Sequence, residues 1–129
     1  MRQPKFLYKV VSADNRSTGA FGKYNLEYRD NRDVESIPGT IGIFCFTNKK
    51  IARKFKHSEA RRFGKIKKCI PISEVRNTDL CSRCEYITDE YLDDFYNRQR
   101  NRICSFFEGT VLCDKLHVIG DIRWNTFIR

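Results

Sequence analysis

The order of apolar and polar residues predicts several strands in the first half of the chain. Residues 5–11 are rich in aromatic and β-branched side chains, which indicates a strand. Residues 24–29 alternate strictly between apolar and polar positions, which predicts a half-exposed strand. Its inward-facing side chains are predicted to be Tyr24, Leu26 and Tyr28. The polar residues 30–36 are predicted to form a loop, whereas the unbroken apolar run 41–46 predicts a strand at the sheet centre.

Helical spacing begins directly after this central strand. Thr47 or Asn48 can cap the helix, and Gly64 can end it. The residues predicted to form its buried stripe are Ile51, Ala52, Phe55 and Phe63. Residues 65–72 then return to a strand pattern, with Pro71 at an edge or near the end of the strand. The isoleucines that share one face of this strand are Ile66, Ile70 and Ile72.

A second helix is predicted over residues 88–108. Thr88 can cap it, and acidic residues follow in its first turn, where the helix dipole favours them. Residues 110–119 predict a last strand with a break near Cys113 and Asp114. Together these elements predict a single α+β domain over residues 1–129, with a mixed or antiparallel sheet of about five strands and two main helices.

Composition limits the class of protein. The chain has 129 residues, of which 40% are hydrophobic and 13% aromatic, so it has enough apolar material for one core. It has no apolar run near the ~20 residues needed to cross a bilayer, and residues 1–5 do not lead into a signal-peptide core. We therefore expect a cytoplasmic protein with no membrane partner, whose six cysteines stay reduced.

Charge is concentrated in residues 49–68. This basic segment holds ten Lys and Arg residues against one acid, Glu59, so its net charge of +9 equals that of the whole chain. A simple interpretation is a solvated helix face, because charge runs are usually that. However, one acid cannot neutralise the segment through i,i+4 pairs. The imbalance therefore favours an anionic partner over a solvated face.

The position of these charges at the helix start strengthens that interpretation. Lys49, Lys50 and Arg53 lie in or beside the first turn, where free N–H groups already present positive charge. Like charge there costs roughly 0.3–1 kcal/mol per group, and a bound phosphate or carboxylate would compensate for it. The predicted ligand-binding residues are Thr47, Asn48, Lys49, Lys50, Arg53, Lys54, Arg61, Lys65 and Lys67.

Several anionic partners fit such a segment. Nucleic acid would give binding that weakens steeply with salt, but no helix-turn-helix, zinc-finger or RNP motif supports sequence readout. We therefore predict a non-enzymatic binding protein for a phosphate-bearing ligand, either a nucleotide or a nucleic acid. The alternative is an inhibitor that docks its basic face on an acidic protein. No cofactor is implied.

Cysteine and histidine spacing predicts neither a metal site nor a catalytic centre. Cys81 and Cys84 form a lone C-x2-C, whereas a structural zinc site needs four ligands, usually from two such pairs. Cys45, Cys69 and Cys113 lie in strand-like runs and are predicted to be small buried hydrophobic residues. No Ser-His-Asp order, P-loop or G-x-G-x-x-G motif is present.

Four short motifs follow one another along most of the chain. They are a strand at residues 8–11, a strand at residues 42–46, a helix containing Ala52 and Phe55, and a late strand at residues 109–114. This order resembles small phage-encoded accessory proteins of unassigned function. The resemblance implies a viral protein of the host cytoplasm that counters host defence, in the manner of those that sequester nucleotide signals.

The same order of elements also resembles the first half of the ADP-ribosyltransferase-like fold. In that family an early strand carries an Arg or His, a middle strand ends in Ser, Thr or Tyr, and a late Glu serves catalysis. Here the early strand offers Tyr8 and Lys9, with no Arg or His, and Thr47 matches the middle position. Glu74 or Glu85 would be the late acid. This resemblance implies, as an alternative, an enzyme acting on a dinucleotide.

Overall fold

The computed structural model describes residues 3–17, 25–38, 42–58, 64–77 and 109–122. These residues form seven strands and one helix. In chain order the elements are β1 (Leu7–Val11), β2 (Arg32–Glu35), β3 (Ile43–Phe46), α1 (Lys49–Ser58), β4 (Lys65–Pro71), β5 (Val75–Asn77), β6 (Thr110–Cys113) and β7 (Lys115–Asp121). None of the described helical structure has the length and apolar content that crossing a bilayer requires.

All seven strands belong to one antiparallel sheet in the order β2-β7-β4-β1-β3-β6-β5. Asp114 alone separates β6 from β7 in the chain, yet β6 pairs with β3 and β7 pairs with β4, on opposite sides of β1. Likewise β5 follows β4 but pairs with β6. The segments β4–β5 and β6–β7 thus form one long ribbon that bends in the middle, so the sheet curls round a core.

Ser73 holds the bend of this ribbon. Its hydroxyl oxygen accepts hydrogen bonds from the backbone N–H groups of Asp114 and Lys115, both at 3.0 Å. The backbone N–H of Ser36, just after β2, donates to the Asp114 carbonyl oxygen at 2.8 Å. These bonds satisfy backbone groups that leave the sheet ladder where the strands bend.

Two hydrophobic clusters lie on the two faces of the central strands. The cluster on the inner face draws on strands from both ends of the sheet. Its buried members are Leu7, Val11, Tyr28, Val34, Ile43, Cys45, Cys69, Val111, Cys113, Leu116 and Val118. The cluster on the other face lies under α1, and its buried members are Val10, Phe46, Ala52, Phe55 and Ile66. Side chains alternate between these clusters because successive strand residues point to opposite faces.

The helix is positioned by its cap and its apolar stripe. The side-chain oxygen of Asn48 accepts from the backbone N–H groups of Lys50 at 2.7 Å and Ile51 at 3.2 Å, which is N-cap geometry. Ala52 and Phe55 are fully buried, and the Phe55 ring packs 5.1 Å from the Phe46 ring on β3. Arg53 and Lys54, which lie between Ala52 and Phe55 in the chain, therefore face outward.

The predicted α+β architecture with about five strands and two main helices is wrong. The described residues are mostly sheet, with seven antiparallel strands and one helix. The second predicted helix, over residues 88–108, lies outside the described residues. The predicted loop at 30–36 contains β2 instead, and the described part of the predicted strand 24–29 makes a single bridge, between Glu27 and Arg16.

Edge position explains the missed strand. In β2 only Val34 is buried, and among the described strands this one lies at the sheet edge beside β7. One apolar residue in four does not produce an alternating pattern. Three other predictions are confirmed: β3 is interior and fully buried, Pro71 is the last residue of β4, and the late strand breaks at Asp114.

Candidate anion-binding cleft

The exposed side of α1 carries the basic residues that the sequence singled out. Lys49, Lys50, Arg53 and Lys54 are all exposed, because the opposite side of the helix is buried on the sheet. Lys56 is partly buried and His57 is exposed. Residues three and four apart share a helix face, so Arg53, Lys56 and His57 lie together on one surface of α1.

The first turn of α1 is already capped by the protein. Asn48 accepts the hydrogen bonds of the Lys50 and Ile51 N–H groups. The sequence predicts that a bound anion would compensate for the free N–H groups of this turn. The N–H of Thr47 donates to the Gly109 carbonyl oxygen at 3.2 Å. A phosphate at this position would have to compete with the Asn48 side chain.

A cleft of about 300 Å³ lies beside the second half of α1 and the ends of β4 and β7. The residues that line it are Arg53, Lys56, His57, Gly64, Lys65, Ile66, Asp121 and Ile122. The helix contributes Arg53 and Lys56 to one wall, and the partly buried Ile122 supplies apolar surface. The Ile122 N–H donates to the Ile66 carbonyl oxygen at 2.9 Å, which holds these two residues together.

Asp121 is the one carboxylate among the described residues that line this cleft. Its Oδ1 lies 2.5 Å from the Nζ of Lys67, and its Oδ2 lies 3.9 Å from the Nζ of Lys65. Lys65 also donates to Asn15 Oδ1 at 3.1 Å. The carboxylate is thus bonded to Lys67 and lies near Lys65.

Lys67 lies inside the protein and is 2% exposed. Its Nζ bonds to Asp30 Oδ1 at 2.7 Å as well as to Asp121. Burial acts to lower the pKa of Lys67, but the hydrogen bonds and charges of Asp121 and Asp30 outweigh it, so the pKa is raised. The ammonium group is therefore charged and positions Asp121 from within the fold.

The structure brings two of the nine predicted residues, Arg53 and Lys65, to the cleft. Lys67 lies beneath it, and Arg61 lies outside the described residues. The predicted residues that are described but do not line the cleft are Thr47, Asn48, Lys49, Lys50 and Lys54. Sequence reasoning did not select Lys56, His57, Ile66, Asp121 or Ile122. Lys56 and His57 follow Arg53 by three and four residues in the sequence. This helical spacing indicates that they share the face of α1 on which Arg53 lies.

A second buried lysine, Lys9, lies on β1. It is 7% exposed, and its Nζ donates to the Phe44 carbonyl oxygen at 2.8 Å and lies 5.4 Å from the centroid of the Tyr28 ring. Within the part of the chain that is described, no carboxylate comes within ion-pair distance of it. Burial lowers the pKa of Lys9 to about 8.

The thiols near Lys9 are structural. Cys45, Cys69 and Cys113 are free and buried, as predicted. Burial raises the pKa of Cys45, and it raises that of Cys69 to about 12, so both stay protonated near neutral pH. No group of three or more metal-ligating side chains is found in the described ranges. Cys81 and Cys84 lie outside those ranges.

Comparison with protein-family models, curated proteins and solved structures gave no match to this chain.

Proposed function

We propose that this protein is a cytoplasmic, non-enzymatic binding protein for a phosphate-bearing ligand, and that the cleft beside α1 is its binding site. The observation that carries the proposal is the convergence of Arg53, Lys56, His57 and Lys65 on one concave space. Asp121, the carboxylate at that space, is bonded to Lys67. A phosphate would meet several donors, together with one carboxylate that already bonds to a lysine of the protein.

The chemistry of these side chains suits a phosphate. A guanidinium group can donate two parallel hydrogen bonds to phosphate oxygens, and an ammonium group acts as a compact point charge. A concave site with low-dielectric walls concentrates the field of these charges more than a flat surface does. The observed volume lies at the small end of the roughly 300–1,000 Å³ typical of ligand pockets, which favours a ligand of mononucleotide size.

Paired variants on one helix test the proposal. Binding of adenosine 5′-monophosphate, a cyclic dinucleotide, NAD and a short single-stranded DNA would be measured by calorimetry and thermal shift at low and high salt. The cleft variant is Arg53→Glu with Lys56→Glu. The control is Lys50→Glu with Lys54→Glu, which changes the charge equally on the same helix outside the lining of the cleft.

We expect the cleft variant to lose at least about tenfold in affinity for the small ligand that binds, because charge-assisted hydrogen bonds are removed. The control should stay within about threefold. An equal loss in both variants would overturn the cleft as the site and indicate general attraction, as for nucleic acid or an acidic protein surface. The proposal fails if none of the ligands binds the wild-type protein.

A further inference from the structure

Asp121 places one negative group at a cleft whose helical wall is cationic. Its side chain is 42% exposed, and its Oδ1 bonds to Lys67 at 2.5 Å. A carboxylate offers about four lone-pair positions on two oxygens, so one bond to Lys67 leaves acceptor capacity free. For a bare phosphate this carboxylate is repulsive, whereas a ligand that carries a hydroxyl or amino donor gains a charge-assisted hydrogen bond.

The fold holds this carboxylate in place. Asp121 is opposite Lys67 in the pairing of β7 with β4. If Asp121 turned away, the buried Lys67 ammonium would lose one of its two carboxylate partners and keep Asp30 alone. The next residue, Ile122, is tied to Ile66 through its backbone N–H. An acceptor fixed in this way discriminates between ligands better than a mobile one, because no ordering is needed on binding.

We infer that the cleft selects nucleoside phosphates over phosphate groups alone. The phosphate lies against Arg53, Lys56 and His57, while a ribose hydroxyl or a base amino group donates to Asp121. The sugar or base packs against Ile122, which is only partly buried. This inference rests on the proposed function, and it names the ligand class that the same cleft takes.

A ligand series on the wild-type protein tests the inference without any variant. Calorimetry would compare adenosine 5′-monophosphate, ribose 5-phosphate, inorganic pyrophosphate and adenosine. We expect adenosine 5′-monophosphate to bind at least about tenfold more tightly than pyrophosphate, although pyrophosphate carries more charge. Equal or tighter binding of pyrophosphate would overturn the inference while leaving the proposed function standing. Failure of every phosphate ligand to bind would overturn both.

Two carboxylate variants then assign the selectivity to one residue. Asp121→Asn should weaken adenosine 5′-monophosphate by at least about tenfold and strengthen pyrophosphate, because the repulsion and the charged acceptor are both removed. The control is Asp30→Asn, which removes the other partner of Lys67 but does not line the cleft. It should leave both affinities within about threefold. If Asp121→Asn strengthens both ligands alike, Asp121 only repels phosphate and the inference is wrong.

Discussion

Lys9 on β1 lies directly opposite Lys67 on β4, and both side chains are buried. Two like charges in such a cross-strand pair destabilise a sheet. The two ammonium groups have different hydrogen-bond and charge partners. Lys67 bonds to Asp30 and Asp121, whereas Lys9 meets the Phe44 carbonyl oxygen and the face of the Tyr28 ring. Burial lowers the pKa of Lys9 to about 8, whereas at Lys67 the hydrogen bonds and charges of Asp121 and Asp30 outweigh burial, so its pKa is raised.

The first prediction is that stability rises with pH just above pH 8. Lys9 has a pKa of about 8 in the fold and 10.5 in the unfolded chain, so between these values the unfolded chain binds more protons. The free energy of unfolding therefore increases with pH in this window. The raised pKa values of Cys45, Cys69, Tyr28 and Lys67 act in the opposite direction above about pH 9. We expect a maximum near pH 9 in urea unfolding.

Replacing the lysine tests the origin of that rise. Lys9→Met removes the buried charge, whose burial costs on the order of 3 kcal/mol below pH 8. Allowing for the lost hydrogen bond to Phe44, the variant should be about 2 kcal/mol more stable at neutral pH. Its stability should also no longer rise above pH 8. A rise that persists in the variant would assign the effect to another group.

The second prediction concerns the three charges of Lys67, Asp30 and Asp121. Asp30→Asn with Asp121→Asn leaves the buried ammonium without carboxylate partners, which should lower the free energy of unfolding by about 3–5 kcal/mol. Adding Lys67→Met should recover most of this loss, because no buried charge then remains. Urea unfolding measures both changes.

A matched charge change on the neighbouring edge strand serves as the control for the second prediction. Asp33→Asn with Glu35→Gln also removes two carboxylates, but both residues are exposed on β2. Exposed contacts such as the hydrogen bond between Asp33 and His117 contribute at most about 1 kcal/mol. If Asp30→Asn with Asp121→Asn lowers the free energy of unfolding by no more than this control does, the Lys67 ammonium is solvated without these carboxylates and the prediction is wrong.

These lysines show how far the sequence alone could predict the fold. The sequence predicts β1 from residues 5–11 and β3 from residues 41–46, because a run of mostly apolar residues indicates a buried strand. Buried lysines give no such signal. In β4 the lysine at 67 faces the interior while Ile70, on the opposite face, is 40% exposed. The carboxylates that permit this lie 37 residues before and 54 residues after Lys67 in the chain.

The candidate site was likewise predictable only in part. Charge counting located the basic segment, because an excess of lysine is visible without any structure. Its concave surface also needs Asp121 and Ile122, which the pairing of β7 with β4 brings beside α1. More than 40 residues separate β4 from β7 in the sequence. The ribbon also bends at Asp114, where the hydrophobic pattern predicts a break in a strand but not a change of partner strand. Sequence reasoning therefore found the charge but not the cleft.

The third prediction is that Gly42 cannot be replaced without loss of stability. Its φ is +121°, a conformation that residues with a Cβ rarely adopt. An added Cβ would lie 2.8 Å from Nη2 of Arg76 and 3.1 Å from Oδ1 of Asp114, two residues that form an ion pair at 3.0 Å. Gly42→Ala should therefore lower the free energy of unfolding by about 1–3 kcal/mol.

Gly120→Ala is the matched control for Gly42→Ala. A Cβ at Gly120 would come no closer than 3.6 Å to Oδ2 of Asp30, which is ordinary van der Waals contact. Gly120 lies in β7, where alanine loses less backbone freedom on folding than glycine does. Urea unfolding of the control should differ from wild type by less than about 1 kcal/mol. Equal destabilisation of both variants would mean that Gly42 is not specially strained.

The fourth prediction separates the cap of α1 from its ligand site. Asn48→Ala removes the acceptor for the Lys50 and Ile51 N–H groups and should cost about 1 kcal/mol in urea unfolding, whereas Thr47→Ala should be nearly neutral. Because neither residue lines the cleft, both variants should keep their affinity for adenosine 5′-monophosphate within about threefold. If Asn48→Ala changes affinity at least about tenfold while Arg53→Glu with Lys56→Glu does not, the ligand binds at the helix start, as the sequence first indicated.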